Sequence, residues 1–276
     1  MSDKVNYEGD NYSKFRPTYS DRLYSLIYQF HKGSFDQALD IGTGTGQGAI
    51  ELSNRFKHVY GVDRLSEMIN NAIQKENVTY NVGSAEFLDF PDHSMDLMTV
   101  ATAFHWFDQA KFFDQVHRVL KPDGTLAVWG YYFPMIKNND KANEILAEIT
   151  RMDGALQRYS DPNVKYVINM YRDFTFPFKT VDYYISPSSQ DTTGISKPCG
   201  GSLMEKTMSL VAFEKYIKTA SAYVNYKKDY EKGAGGNVDI VEECIEKIAK
   251  VMQAEDKEKT TVDLEWPLVL VLCRNA

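Results

Sequence analysis

Three groups of residues carry the chemistry that this sequence offers. The first is ALDIGTGTGQGA, where Gly42, Gly44 and Gly46 alternate behind an acid, Asp40. A strand that turns sharply into a helix needs residues without a Cβ. Such a turn lets backbone N–H groups meet a ligand at a positively polarised helix start. A dinucleotide turn of the GxGxxG form requires glycine at position 47, and Gln47 stands there. The alternating GxGxG form behind an acid suits a cofactor built from methionine and a nucleoside, whose ammonium Asp40 would bind. A glycine-rich loop with no ligand is the plainer alternative. The second group is Asp63, which closes VYGVD roughly twenty residues further on. An acceptor-only carboxylate there takes two ribose hydroxyls, one per oxygen, whereas alone it reads as a helix-capping acid. Met68, in the helix that follows, lies either against an adenine or in the core. The third group is His105 and Trp106, just past a predicted strand. A histidine there orients an acceptor or takes a proton, and an indole walls the reaction site. A lone histidine is more often structural.

Joined by VGSAEFLDFP (82–91) and RVLKPDGTLAVW (118–129), these residues resemble the class I S-adenosylmethionine-dependent methyltransferases. The resemblance spans 35–130. It implies S-adenosyl-L-methionine as cofactor, with Ser84, Ala85 and Glu86 beside the adenine and Ala103 at the cofactor. The segments YSKFRPTY (12–19), AFHWFD (103–108) and DLEWPLVLVL (263–272) are similar to the trans-aconitate methyltransferases of fungi and bacteria. In that subgroup the N-terminal segment lies over the cofactor. By position this assigns Arg16 to the methionine carboxylate, with Tyr12 nearby. Otherwise Arg16 is a surface residue ahead of a helix-starting proline.

The resemblance implies methyl transfer to a small-molecule acceptor, the carboxylate of a small organic acid, with His105 and Trp106 at the reacting groups. A carboxylate is ionised at neutral pH and needs no general base. It would want a cation, for which Arg151, Arg158, Arg172 and Lys197 are candidates. Other acceptors keep the same fold: a xenobiotic, a lipid precursor or a protein. An NAD(P)-linked oxidoreductase and a non-catalytic nucleotide-binding module also stay open. Gln47 speaks against the first, and the intact Asp40–Gly42–Gly44–Asp63 set against the second.

The elements that must position these residues alternate. Apolar periodicity predicts a helix over 16–30, then strands at QALDIG, HVYGVD, VTYNVGSAE, MDLMTVATAF and TLAVWGYY. Helices intervene at TGTGQGAIELSNRF, at SEMINNAIQK with Ser66 as its cap, and at DQAKFFDQVHRVL, while KPDG makes a turn. This pitch predicts an α/β fold with a doubly wound, mostly parallel sheet whose strand carboxyl ends carry the ligand. Residues 1–133 are then the core and 134–235 a partly helical, substrate-binding cap. Residues 236–276 supply a helix and strands that complete the core, with an antiparallel C-terminal strand. In the cap, a helix is expected over 140–159 and another where Phe213, Ile217, Ala220 and Val224 share a face. The Gly/Ser/Thr/Pro-rich stretch 186–201 is expected to be the most mobile part. Two strands should meet near Trp266-Pro267, as a hairpin or one bent strand closing the sheet.

Bulk properties narrow the classes. A formal net charge of -7 argues against a nucleic-acid partner, which needs a basic stripe. Cys199, Cys244 and Cys273 are odd in number and form no CxxC or Cys/His cluster, so neither a disulfide framework nor a metal site is expected. The polar start and the lack of any long apolar run predict a cytoplasmic protein without a membrane span.

Overall fold

The computed structural model describes residues 19–231 and 238–275. They form two units, one of residues 19–132, 166–203 and 268–275, the other of 133–165, 204–231 and 238–267.

The first unit is built on a seven-stranded sheet. Helix α1 (Asp21–Phe30) opens it, capped by Ser20, whose hydroxyl accepts from the Leu23 N–H, and it buries Leu23, Leu26 and Ile27. There follow β1 (Gln37–Ile41), α2 (Gln47–Leu52), β2 (His58–Asp63), α3 (Ser66–Asn70), β3 (Val78–Val82), β4 (Met95–Ala101), α4 (Gln109–Val119) and β5 (Leu120–Tyr131). The order is β3-β2-β1-β4-β5-β10-β7, with β7 at Thr180–Ser186 and β10 at Leu268–Arg274. Strands β1 to β5 are parallel, and β10 runs antiparallel to both β5 and β7. This is the Rossmann-like methyltransferase fold expected from the sequence. The strand order reverses between β1 and β4, the kind of switch point at whose strand carboxyl ends open α/β sheets bind ligands. From Leu268 to Cys273 every side chain of β10 is fully buried, which explains its unbroken apolar run.

The second unit holds β6 (Met135–Ile136), β8 (Glu205–Ser209) and β9 (Thr261–Glu265) in a small antiparallel sheet, order β6-β9-β8. Its helices are α5 (Asp140–Thr150), α7 (Leu210–Lys218), α8 (Ser221–Asp229) and α9 (Ile240–Val251), while α6 (Val164–Ile168) bridges the boundary at 165. Helix α9 packs on α5 and α7 through Val241, Cys244, Ile245 and Ile248. Trp266 is buried, with its indole N–H donating to the Tyr216 hydroxyl at 2.7 Å.

Several expected boundaries shift. Residues 261–274 do form two strands, but they do not pair with each other: β9 joins the small sheet and β10 the large one. Pro267, between them, cannot donate to a ladder and marks the change of sheet. For the same reason α9 belongs with the second unit, while 166–203, placed in the cap from sequence, joins the large sheet through β7. The helix expected over 140–159 stops at Thr150, and only a short 3-10 turn recurs at Gln157–Tyr159. The helix expected around 213–224 is two helices parted at Thr219-Ala220. Ser66 lies inside α3, whose N-cap is Leu65. Strand β5 already starts at Leu120, so KPDG lies in the register irregularity between the Leu120–Met95 and Thr125–Leu97 pairs. The stretch 186–201 is organised around Asp191, which accepts from the N–H groups of Thr193, Gly194 and Ser196 and pairs with Arg172. Those backbone donors, Ser196 first, hold its carboxyl down at about 2. No helix of the described residues is long and apolar enough to cross a membrane.

Candidate functional site

The turn from β1 into α2 lies at the carboxyl ends of the parallel strands. Gly42, Gly44 and Gly46 all have positive φ, at 68°, 56° and 88°. What surrounds them separates their roles. A Cβ on Gly42 would stand 2.6 Å from that of Ala103, and one on Gly46 would strike the Tyr80 ring and hydroxyl. These two glycines admit neighbouring side chains. Among the described residues a Cβ on Gly44 would meet nothing within 4 Å, so of the three this is the position that they leave open. A side chain there would be strained by its left-handed backbone and would also fill the space in front of the turn.

Asp63, at the end of β2, is half-buried and reaches across to the turn. One carboxylate oxygen accepts from the Gly44 N–H and the other from the Leu65 N–H, both at 2.9 Å. Each oxygen keeps a further lone pair, so the carboxylate retains the capacity to take two hydroxyls. An open-faced glycine bound to a carboxylate at the strand edge fits the nucleoside part of S-adenosylmethionine.

Asp40 does something other than was expected of it. It is 1% exposed and points into the fold, where its oxygens accept from the hydroxyls of Thr43 and Thr99, each at 2.6 Å. Gly48 lies so close that a Cβ there would stand 2.9 Å from a carboxylate oxygen. Burial pushes its carboxyl up to about 6, against the pull of those hydroxyls and of the Ala49 N–H. Asp40 therefore braces the turn between β1, β4 and α2, and the ammonium contact gives way to that role. Tyr80, Thr43 and Thr99 complete the brace. Sequence reading passed over all three, although Thr43 lies inside the glycine motif.

The remaining expected contacts line the same edge. Ser84 forms a bridge to Phe87, Ala85 is 5% exposed, and Glu86 accepts from the Asp108 N–H at 3.1 Å, tying this loop to the start of α4. Met68 is half-buried on α3 rather than in the core. Ala103 follows Thr102, a non-glycine residue at φ 56°, whose N–H donates to the Trp129 carbonyl and whose hydroxyl lies 3.3 Å from that of Tyr19. Tyr12 and Arg16 lie outside the described residues.

His105 and Trp106 sit in a 3-10 turn after β4 and differ sharply. His105 is buried, its Nδ1 3.2 Å from the Tyr171 hydroxyl, and burial pushes its pKa down to about 4. It is thus neutral at physiological pH and a weak base. Trp106 is 44% exposed, with its ring centroid 4.8 Å from that of His105. Of the basic candidates for an acceptor, Arg151 pairs with Asp153, Arg172 with Asp191 and Lys197 with Asp182. Lys197 is removed from the ligand edge, because Asp182 lies toward the opposite end of β7 from Ser186.

A methyltransferase-domain family model matches residues 39–128. A protein of Dictyostelium discoideum described as a methyltransferase is 32% identical over 277 residues, covering 100% of this chain and 96% of that one. A protein of Saccharomyces cerevisiae described as an S-adenosylmethionine-dependent methyltransferase is 25% identical over 285 residues, covering 98% and 96%. The solved structure of a protein from Anaeromyxobacter dehalogenans, described as a type II methyltransferase, superposes with a TM-score of 0.71. It covers 94% of this chain and 97% of its own at 24% identity, a likeness of fold. With a full-length relative above 30% identity, a matching family model and an edge that fits the cofactor, the chain belongs to the class I S-adenosylmethionine-dependent methyltransferases.

Proposed function

We propose that this enzyme methylates the carboxylate of a small organic acid. The observation that carries the reading is the state of His105. The one histidine at the strand-end turn is buried, neutral and tied to Tyr171, and so is poorly placed to remove a proton. A carboxylate acceptor brings its own anion and asks for no base.

Bound S-adenosylmethionine supplies an electrophilic methyl group on a sulfonium, and the leaving thioether is neutral. The chain's own residues then position and shield. Asp63 takes the ribose hydroxyls, Gly44 leaves the approach open, and Ser84, Ala85, Glu86 and Met68 border the adenine. Gly42, Gly46 and Asp40 hold the turn in shape, and Ala103 packs against it. His105 anchors the 3-10 turn and props Trp106, whose ring walls the reacting groups and keeps water away. Tyr12 and Arg16 are assigned to the methionine end of the cofactor. Among the described residues, Arg158 alone of the four basic candidates has no carboxylate partner, and its guanidinium lies over the Tyr159 ring within the second unit.

A transfer assay with methyl-labelled cofactor over small mono-, di- and tricarboxylic acids tests the reading. Base-labile methyl esters are the expected products. Turnover of phenols, amines or alcohols with none of the acids would overturn it.

A further inference from the structure

Strand β10 runs from the ligand edge, where Leu268 faces Tyr131 and Ser186, to the opposite edge, where Arg274 faces Thr180. At about 3.4 Å per residue, the two ends are some 20 Å apart. On that opposite edge a cleft of about 300 Å³ opens between the end of α1 and strands β7 and β10. Phe30, Lys32, Asp182, Tyr184, Lys197 and Arg274 line it.

Its charge is out of keeping with the rest of the chain. Three cations face one carboxylate, in a protein of formal net charge -7. The single acid is already engaged, since Asp182 holds the Lys197 ammonium at 2.6 Å. Among the described residues neither Lys32 nor Arg274 makes an ion pair. The Arg274 guanidinium lies 5.1 Å over the Phe30 ring, and its buried Nε–H has no hydrogen-bond partner among the described residues. A cation over an aromatic face, with its charge not neutralised by any described residue, is a receptor for an oxyanion attached to a flat apolar group. Tyr184 and Leu26 add apolar wall, so bare inorganic anions would use only half of the cleft.

We infer that this cleft is a second ligand site, binding an aromatic or otherwise apolar molecule through its carboxylate or phosphate, on Lys32, Lys197 and Arg274. It is separate from the cofactor edge. Helix α1 connects the two, with Phe30 at the cleft and Ser20 and Tyr19 at the other end, where the Tyr19 hydroxyl meets Thr102. A ligand here would fix the helix whose far end lies beside the strand-end turn.

The test is calorimetric titration of the full chain, saturated with S-adenosylhomocysteine so that the cofactor edge is filled. Benzoate, phenyl phosphate and inorganic phosphate are the probes. Saturable binding is expected, tighter for the two aromatic anions than for inorganic phosphate. Lys32→Gln and Arg274→Gln should each weaken it tenfold or more, while Lys111→Gln, on another helix, should not. The exposed Lys32 keeps the test sound if Arg274→Gln disturbs β10. The relative affinities of benzoate and phenyl phosphate tell which oxyanion is preferred. No saturable binding of any probe, or binding that neither variant weakens, would overturn the inference.

Discussion

At the scale of single residues, the candidate site is a division of labour between open and filled positions. Gly44 meets no described residue, while Gly42 and Gly46 make room for Ala103 and Tyr80. Asp63 and Asp40 are both acids at strand ends, yet one keeps acceptor capacity at the edge and the other is buried under threonine hydroxyls. The distinction predicts different consequences for two similar substitutions. Asp63→Asn replaces one acceptor oxygen by a donor amide, and should weaken S-adenosylhomocysteine binding by about 1.5–3 kcal/mol, as for other hydrogen bonds to charged groups. Its melting temperature should change little, because the residue is only half-buried. Asp40→Asn should instead lower stability more than affinity. Calorimetry beside thermal unfolding of the two variants checks this, and unchanged affinity in Asp63→Asn would remove the ribose assignment.

At the scale of elements, the large sheet depends on β10, the strand between β5 and β7. Leu270 is fully buried there, facing Trp129 and Tyr184 in its two neighbours. Leu270→Ala should cost about 2–5 kcal/mol in a urea unfolding experiment, the range for a leucine removed from a tight core. A cost below about 1 kcal/mol would mean that β10 is not packed as described. Much of this architecture was readable in advance, because apolar runs of strand length separated by helical periods leave few arrangements open. The glycine turn and Asp63 were readable too, since spacing alone puts them at neighbouring strand ends. Element ends and partners were harder. Nothing local in VDLEWPLVLVL says that its two strands enter different sheets, and β8 has no strong alternation to announce it. The burial of His105 was hidden for the same reason. Its partner Tyr171 is 66 residues away along the chain.

At the scale of the whole molecule, the parallel sheet presents one edge fitted to S-adenosylmethionine, and the proposed function rests on what that edge does without. His105 is the group that could have served as a base, and its pKa near 4 keeps it neutral, so between pH 6 and 8 its protonation does not change. A small carboxylic acid, with a pKa near 4, is likewise fully ionised in that window. The most direct measurement is therefore the pH dependence of kcat at saturating carboxylate acceptor and saturating cofactor, for the native enzyme and for His105→Gln. The account predicts a flat profile from pH 6 to about 8 in both, with the variant slower by a constant factor through loss of alignment. A limb near neutral pH in the native enzyme that disappears in His105→Gln would contradict it, because it would show a general base at work.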